Sequence, residues 1–268
     1  MKLETTLAGI RLEHPIMNGA GWGCKTLEDV QLLANTPVSA IVVGSITMEP
    51  RPGNQGDVYW CDPSGRYSLN SLGLPNRGWP YYGECLQQMR DIAHGAGKPL
   101  IVSVACFSPE EYAKLARFVM DQDVDVVELN LGCPNVWGKE GQKPIASYEP
   151  RIVENILGLV RQERNSSTSL HTRVAAKISP LPPCILKEVA AAIAESGTVD
   201  IVTATNTQPN GFMWNDQKPA IDPGGGLAGV AGAALKPTAM GVVKQLCDFL
   251  PGNIDIIAVG GIESGQDV

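Results

Sequence analysis

The sequence has little of what metal, nucleic-acid and membrane sites are made from. No Cys-x-x-Cys pair occurs among its seven cysteines (Cys24, Cys61, Cys85, Cys106, Cys133, Cys184 and Cys247), and His14, His94 and His171 stand too far apart for ligand spacing. A structural zinc site therefore has poor support. No Lys/Arg cluster interrupts a formal net charge of −7, which argues against nucleic acid as a main partner. No apolar run approaches the roughly 20 residues that a membrane helix needs. The opening MKLETTLAGIRLEHP holds no apolar core of the kind a signal peptide carries. An odd cysteine count without a leader predicts reduced thiols and a cytoplasmic setting. Internal repeats, low-complexity tracts and linkers are also missing. The 268 residues, 44% hydrophobic and 18% charged, fit a single domain over 1–268, an α/β barrel of roughly 250 residues.

What is present is alternation. Short β-branched apolar runs recur, each followed by a longer stretch with helical spacing, which is the mark of βαβ units and a parallel sheet. Strands are predicted at Pro15–Asn18, Ala40–Val43, Leu100–Ala105, Val124–Leu131, Val174–Ile178, Ile201–Thr203 and Ile254–Val259. Helices are predicted at Thr26–Leu33, Tyr82–His94, Pro109–Asp121, Glu149–Arg164, Leu186–Glu195 and Thr238–Phe249. Ser108-Pro109-Glu110-Glu111 supplies a cap, a first-position proline and acids at the positive helix end. Leu3–Leu7 and Ile10–Glu13 around Ala8-Gly9 form an expected hairpin that would plug the bottom of a barrel. Seven strands are counted where a (β/α)8 barrel has eight, so either one strand escapes the pattern or, as the expected fold has it, the final strand-helix segment is lacking. Long connections at Thr47–Trp79 and Asn206–Leu235 follow strands, and loops after strands are where barrel chemistry sits.

The run Glu128-Leu129-Asn130-Leu131-Gly132-Cys133-Pro134-Asn135-Val136 is the most informative. A strand delivers Asn130, and a tight turn presents Cys133 between two asparagines that could hold a polar planar ring. A loop thiol is a competent base or nucleophile if its neighbours lower its pKa, although a lone cysteine in a turn is more often structural. Leu69-Asn70-Ser71-Leu72-Gly73-Leu74-Pro75-Asn76 reads most simply as a turn. Lys177, closing an otherwise apolar strand, points to the mouth and needs a partner; contact with an anionic ligand and a structural role stand level. Thr203-Ala204-Thr205-Asn206-Thr207 ends the sixth strand. Gly224-Gly225-Gly226-Leu227-Ala228-Gly229 and Gly260-Gly261-Ile262 are glycine-rich loops of the kind that let backbone N–H groups approach a phosphate.

These residues resemble one family, the dihydroorotate dehydrogenases, and within it the soluble class 1 branch with a cysteine base. The resemblance rests on Asn-Leu-Gly-Cys-Pro-Asn-Val at 130–136, Asn-Ser-Leu-Gly-Leu-Pro-Asn at 70–76 and Gly-Gly-Ile-Glu-Ser-Gly-Gln-Asp at 260–267. Pro15-Ile16-Met17-Asn18-Gly19-Ala20-Gly21 and Gly229-Val230-Ala231-Gly232 before Lys236-Pro237 add to it, in family order across the chain. Val136-Trp137-Gly138-Lys139 is more similar to the fumarate-linked homodimeric branch than to the NAD-linked one.

The resemblance implies FMN across the top of a barrel. Its ring would lie near Ala20, Gly21, Ser45, Asn130 and Lys177, and its phosphate at Gly229 and Gly260-Gly261. The substrate ring would be held by Asn70, Asn130, Asn135, Asn206 and Thr207, over the Leu72-Gly73-Leu74 backbone. Cys133 would take the C5 proton of dihydroorotate while a hydride leaves C6. Fumarate as electron acceptor, a homodimer and a cytoplasmic location are further implications. Two departures stand out. Gly44 occupies the place after the second strand where the family carries a lysine, which puts the carboxylated substrate in question. The run ends soon after Gly260-Gly261-Ile262, so the other half of the phosphate site is not seen. A related dihydropyrimidine as substrate, or a non-catalytic barrel, are the alternatives these departures suggest.

Overall fold

The computed structural model describes residues 3–138, 141–169 and 171–268. In chain order its strands and helices are β1 (Thr5–Leu7), β2 (Ile10–Leu12), α1 (Leu27–Ala34), β3 (Ile41–Ile46), β4 (Tyr59–Cys61), β5 (Ser68–Asn70), α2 (Gly78–Gly95), β6 (Leu100–Val104), α3 (Pro109–Met120), β7 (Val126–Asn130), β8 (Trp137–Gly138), β9 (Gly141–Gln142), α4 (Pro150–Ser166), β10 (Arg173–Ile178), α5 (Pro183–Ser196), β11 (Ile201–Ala204), β12 (Gln208–Gly211), β13 (Trp214–Asn215), β14 (Lys218–Pro219), β15 (Ala228–Ala231), α6 (Lys236–Phe249) and β16 (Asp255–Ala258). Lys139, part of the motif that points to the fumarate-linked branch, lies outside the described residues.

Six strands form a parallel sheet in the order β16-β11-β10-β7-β6-β3. Each new strand joins on the same side as the last, so the sheet winds in one direction and has no reversal of strand order. That progression is the one a barrel-like α/β domain follows, rather than the doubly wound kind with a switch point. Among the described residues no helix is long and apolar enough to cross a membrane.

The alternating side chains of the strands explain where chemistry can sit. Near the strand starts, Val42, Ile101, Val126, Ala175 and Ile201 form an apolar layer closed off by Leu7 and Leu12 of the β1–β2 hairpin. The hairpin therefore plugs one end of the sheet, as expected. It is tied in by the Ala8 N–H, which donates to Asp255 Oδ2 at 2.6 Å. Two residues further along the same strands, the layer turns polar: Gly44, Ser103, Glu128, Lys177 and Thr203. Thr203 donates to buried Glu128 at 2.8 Å. The opposite strand faces, with Val43, Val102, Val127, Val174 and Ala176, pack beneath the helices in the main core. An all-apolar sheet back and a front that grades from apolar to polar push any ligand toward the strand C-termini.

Helix starts match their sequence signals. Thr26 caps α1 and accepts from Asp29 N–H, while Asp29 Oδ2 accepts from the backbone of Lys25 and Thr26 at 2.7 and 2.9 Å, a reciprocal capping box. Ser108 caps α3 as its sequence predicts.

One expectation needs correction. Pro15–Asn18 is not a strand. The Asn18 side chain takes the place of a ladder, accepting from Val42 N–H at 2.9 Å and donating to Val42 O at 2.8 Å. With one backbone bond, from Ser39 N–H to Ile16 O at 2.9 Å, the segment is thus fastened beside β3 without a strand ladder, and the sheet has six strands among the described residues rather than seven. The two long connections also hold short strands of their own. Their strands pair antiparallel in the order β12-β15-β5-β4 over a small apolar cluster of Leu69, Ala220, Ile221 and Ala228. This second sheet brings the 70–76 segment against the 206–232 segment.

Candidate active site

The strand C-termini and the second sheet enclose a cavity of about 610 Å3. Ala20, Gly21, Ser45, Asn70, Leu72, Gly73, Leu74, Asn130, Cys133, Asn135, Asn206 and Thr207 all line it. Segments that were separate in sequence thus meet around one space. Lys177, Gly229, Gly260 and Gly261 are not in its lining. Lys177 is buried beneath, level with Asn130 of β7 and Thr203 of β11. Gly229 sits on β15 opposite Asn70, and its carbonyl accepts from Asn70 Nδ2 at 3.1 Å. Gly260 and Gly261 follow β16 and pack against the start of α6, at Leu235 and Lys236.

The asparagines form two short chains of hydrogen bonds. Asn206 Nδ2 donates to Asn130 Oδ1 at 3.0 Å, and Asn130 Nδ2 donates to Ser45 Oγ at 2.8 Å. Ser45 is in turn 3.0 Å from Ser103 Oγ, and the buried Tyr112 hydroxyl donates to Asn130 O at 2.6 Å. On the other side, Asn135 Nδ2 donates to Asn70 Oδ1 at 2.8 Å. Asn54, which the sequence did not single out, donates to the backbone of Asn135 at 3.1 Å and of Ser71 at 2.8 Å. Each amide is thereby oriented by a neighbour, leaving its remaining donors and acceptors for a ligand.

Cys133 is half-buried between these chains. Burial pushes its thiol up from the ordinary range. The Asn135 backbone and the positive charges of Lys177, Arg51 and Lys25 pull it back only in part. Arg51 reaches the site by donating to Gly73 O at 3.1 Å. Neither Arg51 nor Lys25 was legible as a site residue. Arg51 lies in a Pro/Gly-rich loop, and Lys25 immediately precedes a helix cap that already accounts for its segment.

A polar cofactor fits this arrangement. The hydroxyls of Thr205 and Thr207, at the end of β11, are buried without a hydrogen-bond partner. Buried Lys177 takes part in none of the ion pairs among the described residues. Unmatched buried donors and cations are costly unless something pairs with them. Glycine is required at 229, because a Cβ there would lie 2.1 Å from Thr207 Oγ1.

A one-way-wound parallel sheet and a second small sheet that together gather a thiol and four asparagines around a cavity, above a buried lysine, have the layout of an enzyme site for a small polar molecule. The family model described as dihydroorotate dehydrogenase matches residues 2–268, and the chain belongs to that family. Three relatives, named with or without a qualifier as dihydroorotate dehydrogenase A (fumarate), are similar to it. The Streptococcus pyogenes serotype M3 protein is 32% identical over 265 residues, covering 98% of this chain and 80% of its own. The Streptococcus pneumoniae protein is 31% identical over 265 residues, 98% and 81% respectively. The Lactococcus lactis subsp. cremoris protein is 32% identical over 269 residues, 99% and 82%. These names agree with the class 1, fumarate-linked resemblance carried by the motifs. The protein is therefore an oxidoreductase of a flavoenzyme family.

Proposed function

We propose that this protein oxidises dihydroorotate to orotate with FMN as its bound cofactor, and that Cys133 is the base. The observation that carries the reading is the placement of one thiol among four mutually oriented asparagines in a single cavity. When bound, FMN supplies the two-electron acceptor for the hydride that leaves C6. The chain's own residues do the rest. Asn70, Asn135, Asn130 and Asn206 orient the ring with Thr207, over the backbone of Leu72, Gly73 and Leu74. Cys133 takes the C5 proton. The C–H is weakly acidic, so removal needs both a positioned base and donors on the enolate that develops. Ala20, Gly21, Ser45, Asn130 and Lys177 would hold the isoalloxazine. Gly229, Gly260 and Gly261 would hold the phosphate, the last two packing against the start of α6.

In this reading residues 1–268 act as one FMN-binding barrel unit of the (β/α)8 kind. Fumarate as acceptor rests on the relatives' names; a homodimer and a cytoplasmic location rest on the resemblance. Gly44 favours a second reading, a related dihydropyrimidine without a carboxylate, because β3 offers no cation there. An anaerobic visible spectrum of the purified protein tests both. Yellow protein that bleaches with dihydroorotate is expected; bleaching only with dihydrouracil or dihydrothymine would replace the first reading with the second. Colourless protein that takes up no added FMN would end both.

A further inference from the structure

Among the described residues the cavity lining contains one formally charged side chain, Lys25, and no aspartate or glutamate. Its Nζ donates to Pro75 O at 2.6 Å, which uses one of an ammonium's three donors. Asp29, the acid whose charge acts on Lys25, is occupied by the backbone N–H groups at the start of α1. The buried Tyr82 hydroxyl donates to Lys25 O at 2.8 Å, so the backbone under this lysine is held from two sides. Burial pushes its amine down in pKa, with Cys24, Cys133 and Asp29 opposing. A held, half-desolvated cation with unused donors in a cavity of neutral amides is complementary to an anion.

Gly44 lines the same cavity. Its φ is +119°, and a Cβ there would meet Ser103 O at 2.4 Å. No side chain fits at this point of β3 while the backbone keeps its path. A cation at this cavity wall must therefore come from another element, and the entry to α1 provides it.

We infer that Lys25 is the specificity-determining residue of this cavity: its ammonium receives the carboxylate of the substrate ring and makes the site prefer anionic over neutral dihydropyrimidines. The inference rests on the proposed ring-binding role of the cavity but not on the chemistry that follows. Specificity is a difference of affinities, so the test compares two ligands that differ in the carboxylate, orotate and uracil. Their dissociation constants are measured by isothermal titration calorimetry on the flavin-loaded protein and on its Lys25→Met and Lys25→Arg variants. The wild-type protein is expected to bind orotate at least about tenfold more tightly than uracil, as a charge-assisted hydrogen bond supplies. Lys25→Met should weaken orotate about tenfold and leave uracil unchanged, which also reports an intact fold. Lys25→Arg should keep the preference. Equal affinities for orotate and uracil in the wild-type protein overturn the inference, as does unchanged orotate binding in Lys25→Met. A protein that binds orotate through Lys25 yet is not reduced by dihydroorotate supports it and removes the proposed reaction instead.

Discussion

Asn135 donates to Asn70 at 2.8 Å, and this bond, with that from Trp137 Nε1 to Ser71 Oγ at 3.1 Å, joins the turn that carries Cys133 to the second sheet that covers it. Two amides that fix each other act as a unit toward a ligand. Truncating either should release the other, so the two losses should not add. Asn70→Ala and Asn135→Ala are each expected to lower kcat/KM for dihydroorotate by about 10- to 100-fold. The double variant should lose clearly less than the product of the single losses. Strict additivity in the double-mutant cycle would show that the amides bind independently.

A base must be deprotonated to work, and burial holds the Cys133 thiol above its usual range despite Lys177, Arg51 and Lys25. A raised thiol is mostly protonated at neutral pH, so its thiolate fraction grows about tenfold per pH unit below the pKa. The rate of flavin reduction by dihydroorotate, followed by anaerobic stopped flow, should therefore climb steeply from pH 6 to 8. Cys133→Ala should stay yellow and lose reduction. A flat profile in the parent, or normal reduction in Cys133→Ala, would assign the proton to another group.

Lys177 is a buried cation at the junction of β7, β10 and β11. A positive charge beneath a flavin favours the reduced, anionic form. Lys177→Met, close in volume but uncharged, should weaken FMN binding about tenfold and move its midpoint potential to more negative values. Fluorescence titration and a redox titration measure the two effects. Parent-like affinity and potential would remove Lys177 from the cofactor site.

Much of this was readable from sequence because local signals and global fold agree. Apolar runs of strand length became β3, β6, β7, β10, β11 and β16, and Ser108 capped the helix after β6. The failures have physical causes. Pro15–Asn18 has strand-like composition, but an asparagine side chain does the pairing there. The second sheet was hidden because its strands are only three or four residues long and their partners lie up to about 160 residues away in sequence, such as Asn70 and Gly229. Hydrophobic periodicity does not register such short, distant pairs. Lys25 was hidden for a different reason. A residue before a helix cap looks structural, and only the fold brings it to the same cavity as Cys133.

Gly44 makes the last prediction, because it is where backbone geometry and site chemistry meet. At φ +119° an L-residue is strained, and at 2.4 Å from Ser103 O a Cβ has no room. Neither neighbour can yield easily: Ser103 belongs to β6, which pairs with β3, and β3 is buried along its whole length. Gly44→Ala should therefore cost about 2 kcal/mol or more, lowering Tm by several degrees for a chain of this size. Gly44→Lys should do worse, for the clash begins at Cβ and does not depend on where the amine goes. Adding a lysine on β3 is then no route to stronger orotate binding. Thermal melts of the two variants beside the parent decide it. A Gly44→Lys protein with parent-like Tm would mean that β3 can shift to admit a side chain, and that the present backbone does not by itself force the cation onto Lys25.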